Sequence, residues 1–401
     1  MDHSPWSPLR TPMFRAFWIA SLISNLGTWI HEVGAGWLMA SLDSSPEMVA
    51  AVRTAMAIPI VLLAIPAGVV ADRVDRRQLL IFTQLVMFAT TATLAAMTYS
   101  GVITSWMLLA LTVVMGMSLV LHVPTWQASI PELVPKREMS RAVALGSVSF
   151  NLARTAGPAV GGLLIAGIGK WAPFAVNALS FGGVLFVLLF WRRERKESSR
   201  GLSFGLSLYQ GVRYVVRTTS MRNVMLGVAL FIVPGSALWA LLPLVAKTRL
   251  GWGADGFGLL VACVGGGALL ASQALPKFQS RFGSDKTVAG AMVVFAGGLF
   301  LMSQSTTGWI VATAAVVMGA GWMTTLTTLN ATAQVTLPSR LRARGMSCYL
   351  TAMALSMSAG SFLWGQVAGW TNLSTAQSIA AATLLVTAAI SLRFRLGKTL
   401  A

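Results

Sequence analysis

Three stretches of about fifty residues contain no Asp, Glu, Lys or Arg: Gln78 to Pro131, Thr287 to Ser339 and Gly345 to Leu392. A helix crosses the hydrocarbon layer of a membrane with about 20 apolar residues, so each run is long enough for two spans and an uncharged turn. Turn-forming residues mark the breaks at Tyr99-Ser100-Gly101, Ser305-Thr306-Thr307-Gly308 and Trp370-Thr371-Asn372. The same pattern, carried along the rest of the chain, predicts twelve helices over 15–42, 48–71, 78–98, 104–128, 142–167, 171–191, 222–246, 256–275, 287–304, 309–334, 345–369 and 375–392. Strands of a membrane barrel alternate apolar and polar residues, and these runs do not. The fold class expected is all-α integral membrane, with twelve transmembrane helices in two six-helix bundles.

Composition agrees with the pattern. Of 401 residues, 55% are apolar and 10% charged, and the mean hydropathy is +0.71, which leaves too few charges to clothe a water-soluble protein of this size. The chain has 30 Lys and Arg against 12 Asp and Glu, a formal net charge of +18. Their placement excludes the nucleic-acid binder that such a charge suggests by itself. With the N-terminus inside, 25 basic residues fall on inner segments and three, Lys170, Lys247 and Arg249, on outer loops, while Arg53 and Arg154 lie within helices. That asymmetry predicts cytoplasmic termini, with basic loops facing anionic lipid rather than a groove for phosphates. Met1 to Phe14 lacks an apolar core and a small-residue cleavage site, so no signal peptide is expected. Cys263 and Cys348 both fall in predicted spans and are not expected to form a structural disulfide. No metal site, cofactor, nucleotide loop or nucleophile with a partner base is expected, and the chain is not read as an enzyme.

The chain also repeats itself. Val134-Pro135-Lys136-Arg137 followed by Arg141 recurs as Leu337-Pro338-Ser339-Arg340 followed by Arg344, an offset of 203 residues. The polar stretch Trp191-Arg192-Arg193-Glu194-Arg195-Lys196-Glu197-Ser198-Ser199-Arg200-Gly201 separates the halves. The expected domains are an N-terminal bundle over 1–191, a cytoplasmic linker over 192–221 and a C-terminal bundle over 222–401. This is the parallel-repeat plan of a transporter whose halves rock about a central site.

After the second span, Gly68-Val69-Val70-Ala71-Asp72-Arg73-Val74-Asp75-Arg76-Arg77 resembles the signature loop of the major facilitator superfamily. The chain is similar to that superfamily over nearly its whole length, and to the bacterial branch that includes enterobactin exporters. The resemblance implies a gating role for Gly68, Asp72, Arg73, Arg76 and Arg77; positive-inside anchoring is the alternative for this cluster. The corresponding second-half stretch, Lys277 to Ser284, lacks the Asp-Arg pair, which predicts an asymmetric gate. On the fifth span, Ala153-Arg154-Thr155-Ala156-Gly157-Pro158-Ala159-Val160-Gly161-Gly162 resembles the Gly-Pro-x-x-Gly-Gly motif of proton-coupled exporters. Gly157, Pro158, Gly161 and Gly162 are therefore gating candidates, with close helix packing as the other reading. The fourth span has Thr112 ahead of Gly116, where such exporters carry an Arg.

Ionisable groups inside the bilayer are the strongest site candidates, because each is costly unless paired or hydrated. Glu32 is the one clearly intramembrane carboxylate and shares a helix face with Asn25 and Thr28. Arg53 stands near its level on the second span and either pairs with Glu32 or reaches outward. Arg154, with Asn151 on its face, is mid-span; Glu32 or an acidic substrate is its expected partner. His122 on the fourth span is a cavity candidate, whereas His31 points away from Glu32 and is read as packing. Asn330, Gln334 and Gln366 are the polar groups of the second half that can orient a substrate. Trp37, Trp239, Trp322 and Trp364 are possible stacking walls.

Together these readings predict a secondary active transporter working by alternating access in a bacterial inner membrane, exporting a small organic, anionic molecule. Siderophore or drug-like cargo and proton coupling are what the resemblance implies. The expected partners are the small-molecule substrate, protons and the lipid bilayer, with the protein a monomer and no nucleic acid bound. An uncoupled facilitator, a lipid flippase and a general cationic-drug exporter stay open as alternatives.

Overall fold

The computed structural model describes residues 4, 6–191, 213–338 and 342–394, without the side chains of 64–66, 68, 69, 71–73, 128, 136 and 342–344. The predicted linker 192–221 thus lies largely outside the described residues, as do the side chains of Gly68, Asp72 and Arg73. Among the described residues the chain is helical, with no strand. It forms two compact units, Met1–Leu38 with Leu62–Arg200, and Met39–Val61 with Gly201–Ala401. The tip of the first helical hairpin therefore groups with the C-terminal residues.

The helices are α1 (Pro12–Leu42), α2 (Pro46–Arg73), α3 (Arg76–Tyr99), α4 (Ser105–Leu133), α5 (Met139–Gly167) and α6 (Ala172–Phe190), then α7 (Thr219–Leu244), α8 (Ala254–Gln304), α9 (Gly308–Thr336), α10 (Arg342–Trp370) and α11 (Leu373–Ser391). Nine stretches among the described residues are long and apolar enough to cross a membrane. Most limits fall within a few residues of those predicted from the charge-free runs. One reading is corrected. The two helices expected at 256–275 and 287–304 are both present within α8, separated at Gly283, whose φ of 74° and ψ of 167° are non-helical; the correction is that the first runs on past 275 to that glycine. Lys277 and Arg281 did not stop the helix, because charges are compatible with helical backbone once it leaves the hydrocarbon. A residue without Cβ is what allows the left-handed turn.

In the first unit, local chemistry sets the helix ends. The Asp75 carboxylate accepts the Gln78 amide at 3.1 Å and caps α3. The α3–α4 turn uses Gly101 at φ 73°, and the Thr104 hydroxyl accepts from the Met107 amide at 3.3 Å to start α4. Phe14, Phe17, Leu80, Leu133, Leu145, Leu188 and Trp191 pack together at one end of the unit. Small residues let α1 approach its neighbours. A Cβ on Gly157 of α5 would stand 2.5 Å from the Trp29 Cβ, and one on Gly161 3.2 Å from the Ile30 Cα. Two of the three gating-candidate glycines, Gly157 and Gly161, thus lie in close helix packing.

In the second unit, α7 continues into a π-helical turn, Val245–Arg249. Helices α8 and α9 cross so closely that Gly267 meets the Val316 carbonyl and Gly319 the Val264 carbonyl, with no room for a Cβ at either position. Asn372 caps α11 by accepting the Thr375 amide at 2.9 Å. Phe231, Phe295, Trp322 and Trp239 form a continuous aromatic cluster, with neighbouring centroids 5.2 to 6.0 Å apart. Large apolar side chains such as Leu62, Phe82, Leu179, Phe186, Leu270, Phe300 and Phe362 are exposed, as expected of helix faces that meet lipid tails.

Candidate functional site

The first unit brings the α1 and α5 candidates to one helix pair. Asn25 donates from Nδ2 to the Ser149 hydroxyl at 3.1 Å, and Trp18 Nε1 donates to the Leu145 carbonyl at 2.9 Å. Contacts rise together along both helices, from Trp18 beside Leu145 to Ile30 beside Gly161, so the two run parallel. At 1.5 Å per residue this register places Glu32 and Arg154 within about 10 Å of the same level. Both are half-buried. Their neighbours on the predicted faces are less committed to a site: Thr28 donates to its own helix at the Ser24 carbonyl, 2.9 Å away. Asn151 is exposed and donates to the Ser147 carbonyl at 2.9 Å. His31 is 2% exposed and lies edge-on to Phe174, centroids 5.1 Å apart, which agrees with a packing role.

His122 sits on α4 between α3 and an aromatic stack. Its Nδ1 is 3.1 Å from the Thr83 hydroxyl and its Nε2 3.5 Å from Gln84 Nε2. Its ring stacks on Trp126 at 5.7 Å, and Trp126 stacks on Phe17 at 5.2 Å. Sequence reading missed Thr83 and Gln84. The available signal was an amide and a hydroxyl side by side, Thr83 and Gln84, in a charge-free span.

In the second unit the Arg53 guanidinium lies over the Trp239 ring, 5.3 Å from its centroid, joining a cation to the aromatic cluster. Gln334 donates to Asn330 Oδ1 at 2.6 Å, one turn earlier on the same helix; Gln366 is half-buried. Trp364 is 3% exposed and donates to the Val233 carbonyl at 2.8 Å, so it is a bundle contact and not a wall. Two loop cations that sequence reading used only for counting have defined work here. Lys247 donates to the Ala40 carbonyl and, at 2.8 Å, to the Ser44 hydroxyl. Arg249 donates to the Met302 carbonyl at 2.7 Å, to Gln377 Oε1 at 3.2 Å and to the Ser374 hydroxyl. Each places positive charge on carbonyls at a helix C-terminus, where the peptide dipoles favour it.

Of the gating candidates, Arg76 pairs with Glu132 of α4 at 2.8 Å. Arg77 donates to the Leu188 and Leu189 carbonyls at 3.0 and 2.9 Å, closing the end of α6. Pro158 and Gly162 are buried within α5. Among the described residues, no group of three or more His, Cys, Asp or Glu could hold a metal ion.

The long apolar helices with basic residues at their ends fit a membrane protein, and comparison with known proteins gives the family. The family of transmembrane secretion effectors, within the major facilitator transporters, matches residues 3–401. The chain belongs to this family. A staphyloferrin A transporter of Staphylococcus aureus is 25% identical over 272 residues, 68% of each chain. An uncharacterized major facilitator transporter of Bacillus subtilis, YfiS, is 29% identical over 173 residues, 43% of this chain and 40% of that one. Among solved structures, the nucleoside transporter NupG superposes with a TM-score of 0.70 at 13% identity, covering 95% of this chain and 98% of the other. The human organic anion transporter MFSD10 gives 0.63 at 16% identity, covering 94% and 98%. The fold is that of the major facilitator transporters, and the protein is a multi-pass membrane transporter rather than an enzyme.

Proposed function

We propose that this transporter exports a small anionic, siderophore-like molecule from the bacterial cytoplasm in exchange for protons, by alternating access through the inner membrane as a monomer with both termini cytoplasmic. The observation that carries the reading is the parallel α1–α5 pair, which holds Glu32 and Arg154 near one level inside an apolar unit. A half-buried guanidinium in an apolar span attracts an acidic group, and a carboxylate near its level can hold a proton or leave the cation to the substrate. Arg53, over Trp239, offers a second cation next to an aromatic surface suited to a ring-bearing ligand. The siderophore class is supported by the relative named as a staphyloferrin A transporter. The 25-to-3 distribution of loop cations supports the orientation. Enterobactin-type cargo and drug-like cargo remain members of the class to be tried.

Reconstituted protein, given a radiolabelled siderophore under an imposed pH gradient, tests the reading. Wild type is expected to accumulate the anion only while the gradient lasts, Glu32→Gln to lose the dependence on pH, and Arg154→Gln to lose transport about tenfold or more. Equal flux with the gradient collapsed would make the protein a facilitator or flippase. Preference for lipophilic cations that survives Arg154→Gln would make it a cationic-drug exporter.

A further inference from the structure

We infer that His122, Thr83 and Gln84 form a second proton-binding site, in which the Gln84 side-chain amide turns over when His122 takes up a proton. The inference goes beyond the Glu32 reading, since it concerns a group on α4 that the exchange proposed above does not use.

The hydrogen-bond geometry supports one assignment of the protons. Thr83 donates its single hydroxyl proton to the Leu80 carbonyl at 3.0 Å, so toward His122 Nδ1, 3.1 Å away, the same oxygen can only accept. His122 therefore carries its proton on Nδ1 and presents a lone pair at Nε2. There it meets the Gln84 amide nitrogen at 3.5 Å, a long and weak donor. Gln84 is 1% exposed, and its Oε1 is buried without a hydrogen-bond partner. An orphaned buried acceptor is costly, and here it stands on the side chain already facing the imidazole. Protonation at Nε2 turns that nitrogen from acceptor to donor. A half-turn of the amide then sets Oε1 against it, replacing a weak contact with a charge-assisted bond. The Trp126 face, stacked on the ring at 5.7 Å, favours the imidazolium further.

The charged groups on the surrounding helices leave this chemistry to the triad itself. On α4 the ionisable residue is Glu132, ten positions away and paired with Arg76. Helix α3 carries Arg76 and Arg77 at its start, both engaged at the helix end. Helix α1, which supplies Phe17 to the stack, carries Arg15, His31 and Glu32; α5 carries Arg141 and Arg154; α6 carries none. The described hydrogen bonds of His122 go only to uncharged groups.

Nitrogen-15 NMR of histidine-labelled full-length protein in lipid nanodiscs tests the site, with the His122 signal assigned by its loss in His122→Asn. At high pH the signal is expected to report the Nδ1-protonated tautomer, and to convert to imidazolium as the pH is lowered across the range in which the protein stays folded. Gln84→Met, which keeps the length and removes Oε1, is expected to lower proton affinity about tenfold, while Gln84→Glu raises it by a similar factor. The His31 signal serves as a control for folding in both variants. A His122 signal that stays constant over this range, the opposite tautomer, or titration indifferent to both Gln84 variants would overturn the site and leave His122 as packing. Proton-driven uptake is measured on the same wild-type protein. Titration without such uptake would sink the proposed exchange but leave the proton site standing; uptake without titration would do the reverse.

Discussion

The interiors of the two units solve the problem of polarity in different ways. In the first, ionisable side chains are built into the helices: Glu32 and His31 on α1, His122 on α4, Arg154 on α5. In the second, α7 to α11 carry an aromatic cluster of Phe231, Phe295, Trp322 and Trp239, and the cation that meets it, Arg53, is contributed by the α1–α2 hairpin tip. The contrast teaches that a duplicated scaffold need not duplicate its chemistry. Both units use glycine to bring helices together, but the α1–α5 pair carries Glu32 and Arg154, whereas α8 and α9 meet through glycines against backbone carbonyls and one uncharged hydrogen bond, Gln279 to Thr328 at 2.9 Å.

The largest effect is expected where the second unit is tightest. Gly319→Leu must push α8 and α9 apart, and overpacking of this kind costs about 3 kcal/mol or more. Gly157→Leu, whose Cβ would meet the Trp29 Cβ at 2.5 Å where that of residue 319 would run still closer into the Val264 backbone, is expected to cost less. Thermal unfolding of the two variants in one detergent checks the order, and equal losses would remove the distinction drawn between the pairings. Next comes Arg249→Ala, which removes three donated bonds and is expected to cost about 2 kcal/mol; Arg249→Lys restores part of it if charge at the helix end matters. Asp75→Ala removes a helix cap and is expected to cost about 1 kcal/mol. The smallest effect belongs to the Arg76–Glu132 pair, whose side chains keep 32% and 22% of their surface exposed. A double-mutant cycle is expected to return a coupling of about 0.2–1 kcal/mol, falling as salt is added. A salt-insensitive coupling several times larger would show that this pair, and not the glycine crossings, anchors the first unit.

Much of this was legible along the chain. Charge-free runs located the helices because lipid admits no uncompensated charge, and uncharged turns located the breaks. Gly157 and Gly161 announced a close helix contact. The sequence separated the two segments of α8 but ended the first too early, since Lys277 and Arg281 suggested a loop where Gly283 breaks the helix. It also left Asn151 and Thr28 as site candidates, although each turns back to its own backbone.

What the sequence by itself determined, then, is the set of spans, their lipid-facing character and the short roll of ionisable groups within them. These follow from transfer free energies that act residue by residue. Only the tertiary structure decided which helices those groups share, that Thr83 and Gln84 frame His122, and that Arg77, Lys247 and Arg249 close helix ends. A partner across tens or hundreds of residues is chosen by how helices pack, and packing depends on the shapes of all the side chains at a crossing rather than on the identity of any one.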